Sequence, residues 1–217
     1  MQTEKNGIGK LLDRRFLGAT VLVIMLLFGL YIRGYSGLLI EVPILEGIQG
    51  LIPASHGWPY FITAIGNTST YFAFYIALLA ICYHYDRMET FVYLLLSTLV
   101  AFFLMEGFKA LFVRIRPQDF MRITQGGYSY PSGHSAVSMA TWLTASRLPE
   151  VKAIRGGKLS WGFAAMPLLI GFTRLILGVH WPTDVLLGWA LGWAVSINNR
   201  GLYQWIKKGN PFAKNPS

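Results

Sequence analysis

Six stretches of this chain run for nearly the length of a membrane-spanning helix, about 20 residues, with few or no charged side chains. They lie at about 16–33, 59–85, 90–112, 132–147, 159–176 and 183–199. Nothing else in the sequence restricts the fold as strongly. A bilayer core offers the backbone no water, so each crossing segment must satisfy its own N–H and C=O groups, which an α-helix does. Composition agrees: 53% of residues are hydrophobic and 13% charged, with mean hydropathy +0.44. The expectation is an all-α integral membrane bundle of six transmembrane helices. No linker, low-complexity tract or internal repeat divides it, so residues 1–217 are expected to form one domain.

The first stretch follows a basic tail and could be read as a secretory leader. No small-x-small cleavage site follows the apolar run, which favours a span. Residues 34–58, interrupted by Gly, Pro, Glu41 and Glu46, read as a loop with short or interfacial helices that could cover or gate a site. The polar run 66–70 blurs the start of the second span. Cys82 is the only cysteine, so a disulfide framework and a thiolate metal site are both excluded.

The net charge of +9 does not mark a nucleic-acid surface, because the basic residues form no stripe interleaved with exposed aromatics. With the N-terminus inside, Lys5, Lys10, Arg14, Arg15, Arg87, Arg147, Lys152, Arg155, Lys158, Arg200, Lys207, Lys208 and Lys214 fall on the inner side. Short cytoplasmic segments are enriched in such residues. Both termini are therefore expected in the cytoplasm of a multi-pass cell-membrane protein. The remaining basic residues, Arg33, Lys109, Arg114, Arg116, Arg122 and Arg174, fall at outer helix ends or in outer loops.

Three outer helix ends carry a constellation. The third span ends in Lys109, six intervening residues, then Arg116-Pro117; the fourth begins with Pro131-Ser132-Gly133-His134. The fifth ends near Arg174, followed after five residues by His180 and after three more by Asp184. Ionisable groups at membrane depth are costly and mark functional sites. Lys109, Arg116 and Arg174 suit a phosphate, the arginines as planar forks and the lysine as a point charge. Ser132 reads as an N-cap whose following backbone N–H groups face an anion, and Gly133 leaves room for close approach. Pro182 suits the first position of the sixth helix, which lets the Asp184 carboxylate fold back toward His180 and fix its tautomer. His180 would then attack phosphorus and His134 protonate the departing oxygen.

These segments resemble the signature of the type 2 phosphatidic acid phosphatase superfamily. Lys109, Arg116 and Pro117 match its first motif, residues 131–134 its second, and Arg174, His180 and Asp184 its third; Thr173 stands where the family usually has Ser. The resemblance implies a metal-independent enzyme, without cofactor, that acts through a phosphohistidine. It makes His180 the nucleophile, Asp184 its orienting partner and His134 the acid. Lys109, Arg116, Ser132, Gly133 and Arg174 become phosphate ligands, at an active site on the outer membrane face. It further implies a lipid phosphate substrate met among membrane lipids: undecaprenyl diphosphate first, then phosphatidylglycerol phosphate, phosphatidic acid or lipid A phosphates. Transfer of the phosphate to a second lipid is the alternative outcome. The family's soluble haloperoxidases share the phosphate residues, but six spans argue against that reading.

Other polar residues have blander readings. Glu106, three residues before Lys109, is expected to pair with it. Arg114 and Arg122 match no motif position and stand between headgroup contact and substrate binding. His56 and His84 read as interfacial, and most tryptophans as anchors or packing. The surrounding cations would repel a divalent metal from the histidines and aspartate. Tail preference and oligomeric state have no motif.

Overall fold

In a computed structural model, residues 2–199 and Tyr203 are described, with side chains from Phe16 onward except that of Arg155. The basic side chains expected inside at 5, 10, 14, 15, 155, 200, 207, 208 and 214 lie outside that set. Among the described residues the chain is helical and contains no strand. The helices are α1 (Gln2–Ile32), α2 (Glu41–Leu51), α3 (Trp58–Ala64), α4 (Thr68–His84), α5 (Met88–Phe112), α6 (Gly133–Ser146), α7 (Pro149–Ala153), α8 (Lys158–Ile176) and α9 (Pro182–Asn198).

Each expected span corresponds to a helix or helix pair, with two differences. The segment expected as a basic tail continues the helix, so α1 begins at Gln2. The stretch expected as the second span is two helices: α3 and α4 meet at a 52° bend, across the polar run that blurred its start in the sequence. By length and composition, α5 and α8 are long and apolar enough to cross a membrane, and the bent α3–α4 pair makes a third such unit. The apolar part of α1, Phe16–Ile32, is shorter. So are α6 and α9, with 14 and 17 residues.

The short α6 lies at the centre, packed against α5, α8 and α9. Ser135, Ala136, Ser138, Ala140, Thr141, Thr144 and Ala145 are buried along it. Small residues suit this position: in lipid, helices gain by close packing rather than by escape from water. The partner surface on α9 is Gly188 and Gly192, one turn apart. A Cβ at Gly192 would stand 2.3 Å from the Ala136 carbonyl oxygen, and one at Gly188 would stand 2.7 Å from that of Ser132. Backbone thus meets backbone. This contact brings the first turn of α9 against the start of α6, where the Ser132 amide donates to the Asp184 carbonyl at 3.0 Å.

The segment between α5 and α6 is anchored at several points. Val113 closes α5 in the left-handed region, φ 48° and ψ 35°, an unfavourable place for a β-branched residue. The turn sends Arg114 inward. Tyr130 is buried among Phe28, Phe108 and Phe112 and donates its hydroxyl to the Met25 carbonyl at 2.9 Å. Burial raises its phenol pKa above the ordinary range. The loop leading into Pro131-Ser132-Gly133-His134 is therefore held onto α1 and α5. In the expected loop, α2 packs on α8 and α9. Arg122, left between headgroup and substrate roles, instead donates to the carbonyls of Ile52 and Gln49 at the end of α2, the latter at 2.9 Å.

Candidate active site

The expected residues converge on one end of the bundle. Around His134 stand Arg174, His180, Lys109 and Arg116. Lys109 reaches the site from the last turn of α5 and pairs with Glu106 at 3.5 Å, as the i, i+3 spacing suggested. Gly133 opens α6 with Lys109 close above it: a Cβ there would lie 3.7 Å from Nζ and 3.1 Å from Met105 Cε. Ser132 is the N-cap residue, but its side chain makes no bond to the helix N–H groups; it accepts from the Ser135 hydroxyl at 3.1 Å. The cap bond expected there is absent. The first backbone N–H groups of α6 still lack partners within the helix and carry its positive dipole end.

Arg174 is buried in the last turn of α8. Nη1 donates to Thr63 Oγ1 at 2.7 Å and Nη2 to Gln125 Oε1 at 2.9 Å. Thr173, the departure from the motif, sends its hydroxyl back to the Ile170 carbonyl at 2.6 Å, so its hydroxyl is engaged within its own helix. Arg116 donates through Nε to the carbonyls of Gly126 and Gly127, through Nη2 to that of Tyr128 at 3.0 Å, and through Nη1 to that of Val179 at 2.6 Å. It therefore fastens the loop between α5 and α6 to the turn that carries His180. Burial lowers its pKa to about 10, against a smaller raising effect of Asp184.

Arg116 Nη1 also lies 3.1 Å from His180 Nε2. A guanidinium can only donate, so Nε2 must accept and the ring proton sits on Nδ1. His180 is 2% exposed. Burial holds its pKa well below the ordinary imidazole range, with Arg116, Arg174 and Lys109 adding to the effect. It is a neutral ring with its Nε2 lone pair toward the cations.

Pro182 opens α9 and Asp184 sits in the first turn, as expected. The carboxylate folds back, but not directly onto the histidine. Oδ2 accepts the Trp181 amide at 2.9 Å and the Ser129 hydroxyl. It lies 3.7 Å from His180 Nδ1, and Ser129 Oγ lies 3.4 Å from that nitrogen. Oδ1 accepts from Arg114 Nη1 at 2.6 Å. Arg114 is thus neither a headgroup nor a substrate ligand: it is fully buried and bridges Asp184 to Glu41. Sequence reasoning missed Ser129, Glu41, Thr63 and Gln125 as site neighbours. It also missed Asn67, whose Oδ1 lies 3.0 Å from His134 Nε2. Asn67 stands at the N-cap position of α4 without a side-chain cap bond, and its neighbour Gly66 leaves room for the imidazole: a Cβ there would lie 2.5 Å from His134 Cδ2.

A cavity of about 590 Å³ extends from Lys109, Gln125, Gly133 and His134 between α4 and α5 to Phe72, Ile76 and Leu99. Those three side chains are exposed on the outside of the bundle. The cavity therefore joins the cationic cluster to the lipid-facing flank.

The chain belongs to the PAP2 superfamily, whose sequence model matches residues 90–210, a span that holds every motif residue above. It is 31% identical over 106 residues to the undecaprenyl-diphosphatase of Sulfolobus acidocaldarius, covering 46% of this chain and 48% of that protein. It is 34% identical over 86 residues to phosphatidylglycerophosphatase B of Haemophilus influenzae, covering 38% and 34%. The chain thus spans about half, or less, of the curated relatives it matches. Its fold is similar to that of the transmembrane PAP2-type phosphatidylglycerolphosphate phosphatase of Bacillus subtilis. That match has TM-score 0.73 and 21% identity, over 89% of this chain and 97% of the other. The LpxE structure from Aquifex aeolicus gives TM-score 0.62 and 20% identity, over 76% and 96%. Family, fold and apolar helices together define a multi-pass membrane protein.

Proposed function

We propose that this protein is an integral-membrane lipid phosphatase that removes the terminal phosphate of a lipid phosphate or diphosphate through a phosphohistidine on His180. The observation that carries the reading is the environment of His180 Nε2: an unprotonated nitrogen in a neutral buried ring, faced by Arg116 and grouped with Arg174, Lys109 and His134. A phosphate entering this cluster would be held by Lys109, Arg116, Arg174 and the first N–H groups of α6 beside Ser132 and Gly133. It would compete with His180 for the Arg116 Nη1 donor and leave the lone pair free.

In the proposed reaction, Nε2 forms a bond to phosphorus as the bond to the leaving oxygen breaks, and His134 gives that oxygen a proton. The proton on Nδ1 stays, so the phosphorylated ring carries a positive charge that Asp184 stabilises, with Ser129 alongside. A water, losing its proton to His134, then hydrolyses the N–P bond and regenerates the ring. The cations neutralise the transferring group, so the chemistry calls for no metal or cofactor.

The preferred substrate is undecaprenyl diphosphate, with phosphatidylglycerol phosphate as the alternative; relatives bearing both names support the pair. The α3–α4 unit with α1, α5, α6, α8 and α9 would supply six crossings, putting both termini in the cytoplasm and the site at the outer face. Phosphate release by the purified protein, measured on a panel of these lipids with a chelator present, tests the reading. Wild type is expected to release phosphate and His180→Ala to release none. Near wild-type turnover by a folded His180→Ala variant would overturn the mechanism.

A further inference from the structure

The geometry points to Glu41 as a positioning residue that acts through Arg114 to hold Asp184 and keep its negative charge available to His180. The inference rests on the phosphatase reading above. Glu41 opens α2, in a segment that none of the three motifs covers, yet it is 1% exposed. Its Oε2 accepts Arg114 Nη2 and the Leu38 amide, the latter at 2.7 Å. Its Oε1 accepts the Thr183 amide at 3.1 Å and the Thr183 hydroxyl at 2.6 Å. The fork of Arg114 therefore spans two carboxylates: Nη2 on Glu41, and Nη1 on Asp184 Oδ1 and on Thr183 Oγ1 at 2.8 Å. The guanidinium carbon lies 5.7 Å from the centre of the Trp181 ring. The Arg114 carbonyl also accepts the Ser129 amide at 2.9 Å. One residue thus places both groups that approach His180 Nδ1.

Charge explains why two acids are needed. A buried carboxylate paired one-to-one with a guanidinium offers little net field to a third group. The other charges that act on His180 are positive: Lys109 from α5, Arg116 after it and Arg174 from α8. If Arg114 alone held Asp184, the aspartate would be well oriented but electrically cancelled. Glu41 takes up the arginine charge, and the Glu41–Arg114–Asp184 row keeps one net negative charge beside the ring that becomes positive when phosphorylated. Burial without Glu41 would also leave half of the arginine fork unpaired, a costly arrangement.

The test is a double-mutant cycle with Glu41→Gln and Arg114→Lys, assayed beside wild type and His180→Ala on one lipid phosphate, with size-exclusion profiles confirming folded protein. Glutamine keeps the shape of Glu41 but loses the charge, and lysine keeps the charge of Arg114 but cannot span both carboxylates. Glu41→Gln is expected to lower kcat about tenfold or more while KM changes less than about threefold, because the binding cations are untouched. In the Arg114→Lys background the same change is expected to cost less than about twofold, because the connection to Asp184 is already broken. A purely structural glutamate would lower thermal stability without this split. Equal costs in both backgrounds, or a Glu41→Gln kcat within twofold of wild type, would overturn the inference while leaving the phosphatase reading intact. A wild type that releases no phosphate would overturn both. A Glu41→Gln variant that does not fold would also count against the inference, since it would make the four donors held by the two Glu41 oxygens, rather than the charge, the reason for the residue.

Discussion

Asp184 Oδ2 stands 3.7 Å from His180 Nδ1, beyond hydrogen-bonding length, and the Ser129 hydroxyl lies near both atoms. The aspartate bonds firmly to the serine, the Trp181 amide and Arg114, and the histidine faces that assembly.

Ser129 should therefore matter to the proposed chemistry although none of the motifs includes it. Ser129→Ala is expected to lower kcat about tenfold, in line with loss of a hydrogen bond to a charged group, with KM nearly unchanged. Steady-state phosphate release checks this; a change confined to KM would place the serine in substrate binding instead.

The acid sensitivity of the fold should change with His180. Its folded pKa is depressed and its unfolded one is near the ordinary 6.5, so the unfolded chain binds a proton first as pH falls. The contribution of this neutral ring to stability is full above about pH 6.5 and declines below it. Thermal unfolding between pH 7 and pH 5 should thus fall less steeply for His180→Asn than for wild type. Parallel slopes would contradict the prediction.

Gly192→Ala should loosen the bundle, because the new methyl would meet the Ala136 carbonyl, a backbone atom that cannot rotate away. A loss of about 1–3 kcal/mol is expected, read as a lower melting temperature in detergent. Gly107→Ala on α5 is the contrast: nothing lies within 4 Å of a Cβ there, and replacing a helical glycine in open space is neutral or stabilising.

The proposed orientation is checked at Thr124, exposed in the loop before α6. Thr124→Cys should react with a membrane-impermeant thiol reagent added to intact cells. Labelling only after the cells are opened would reverse the assignment.

The helices and motif residues were legible because each depends on short-range pattern: runs of apolar residues, and charged groups separated by fixed steps at helix ends. Even Pro182 and Asp184 could be placed on the first turn of α9, from proline's preference for the first helical position and the two-residue step between them. Glu41, Ser129 and Asn67 could not, since a lone acid in a loop, a serine before a tyrosine and an asparagine in a polar run are common, and only folding brings them to the histidines. The signals were faint but present. Glu41 is one of two acids in the segment between the first two spans, and Arg114 repeats the charge of Arg116 two residues earlier with no motif to claim it. Ser132 misled in a different way: its type and position fit a helix cap, but its hydroxyl is engaged by Ser135 instead.

The cavity between α4 and α5 runs from the cationic cluster to exposed side chains on the bundle's flank. For the proposed activity, substrate and dephosphorylated product would then travel sideways through the bilayer without entering water. Turnover would follow the crowding of substrate per area of membrane, so diluting the substrate with inert lipid should slow the enzyme even when its amount per volume of suspension is held constant.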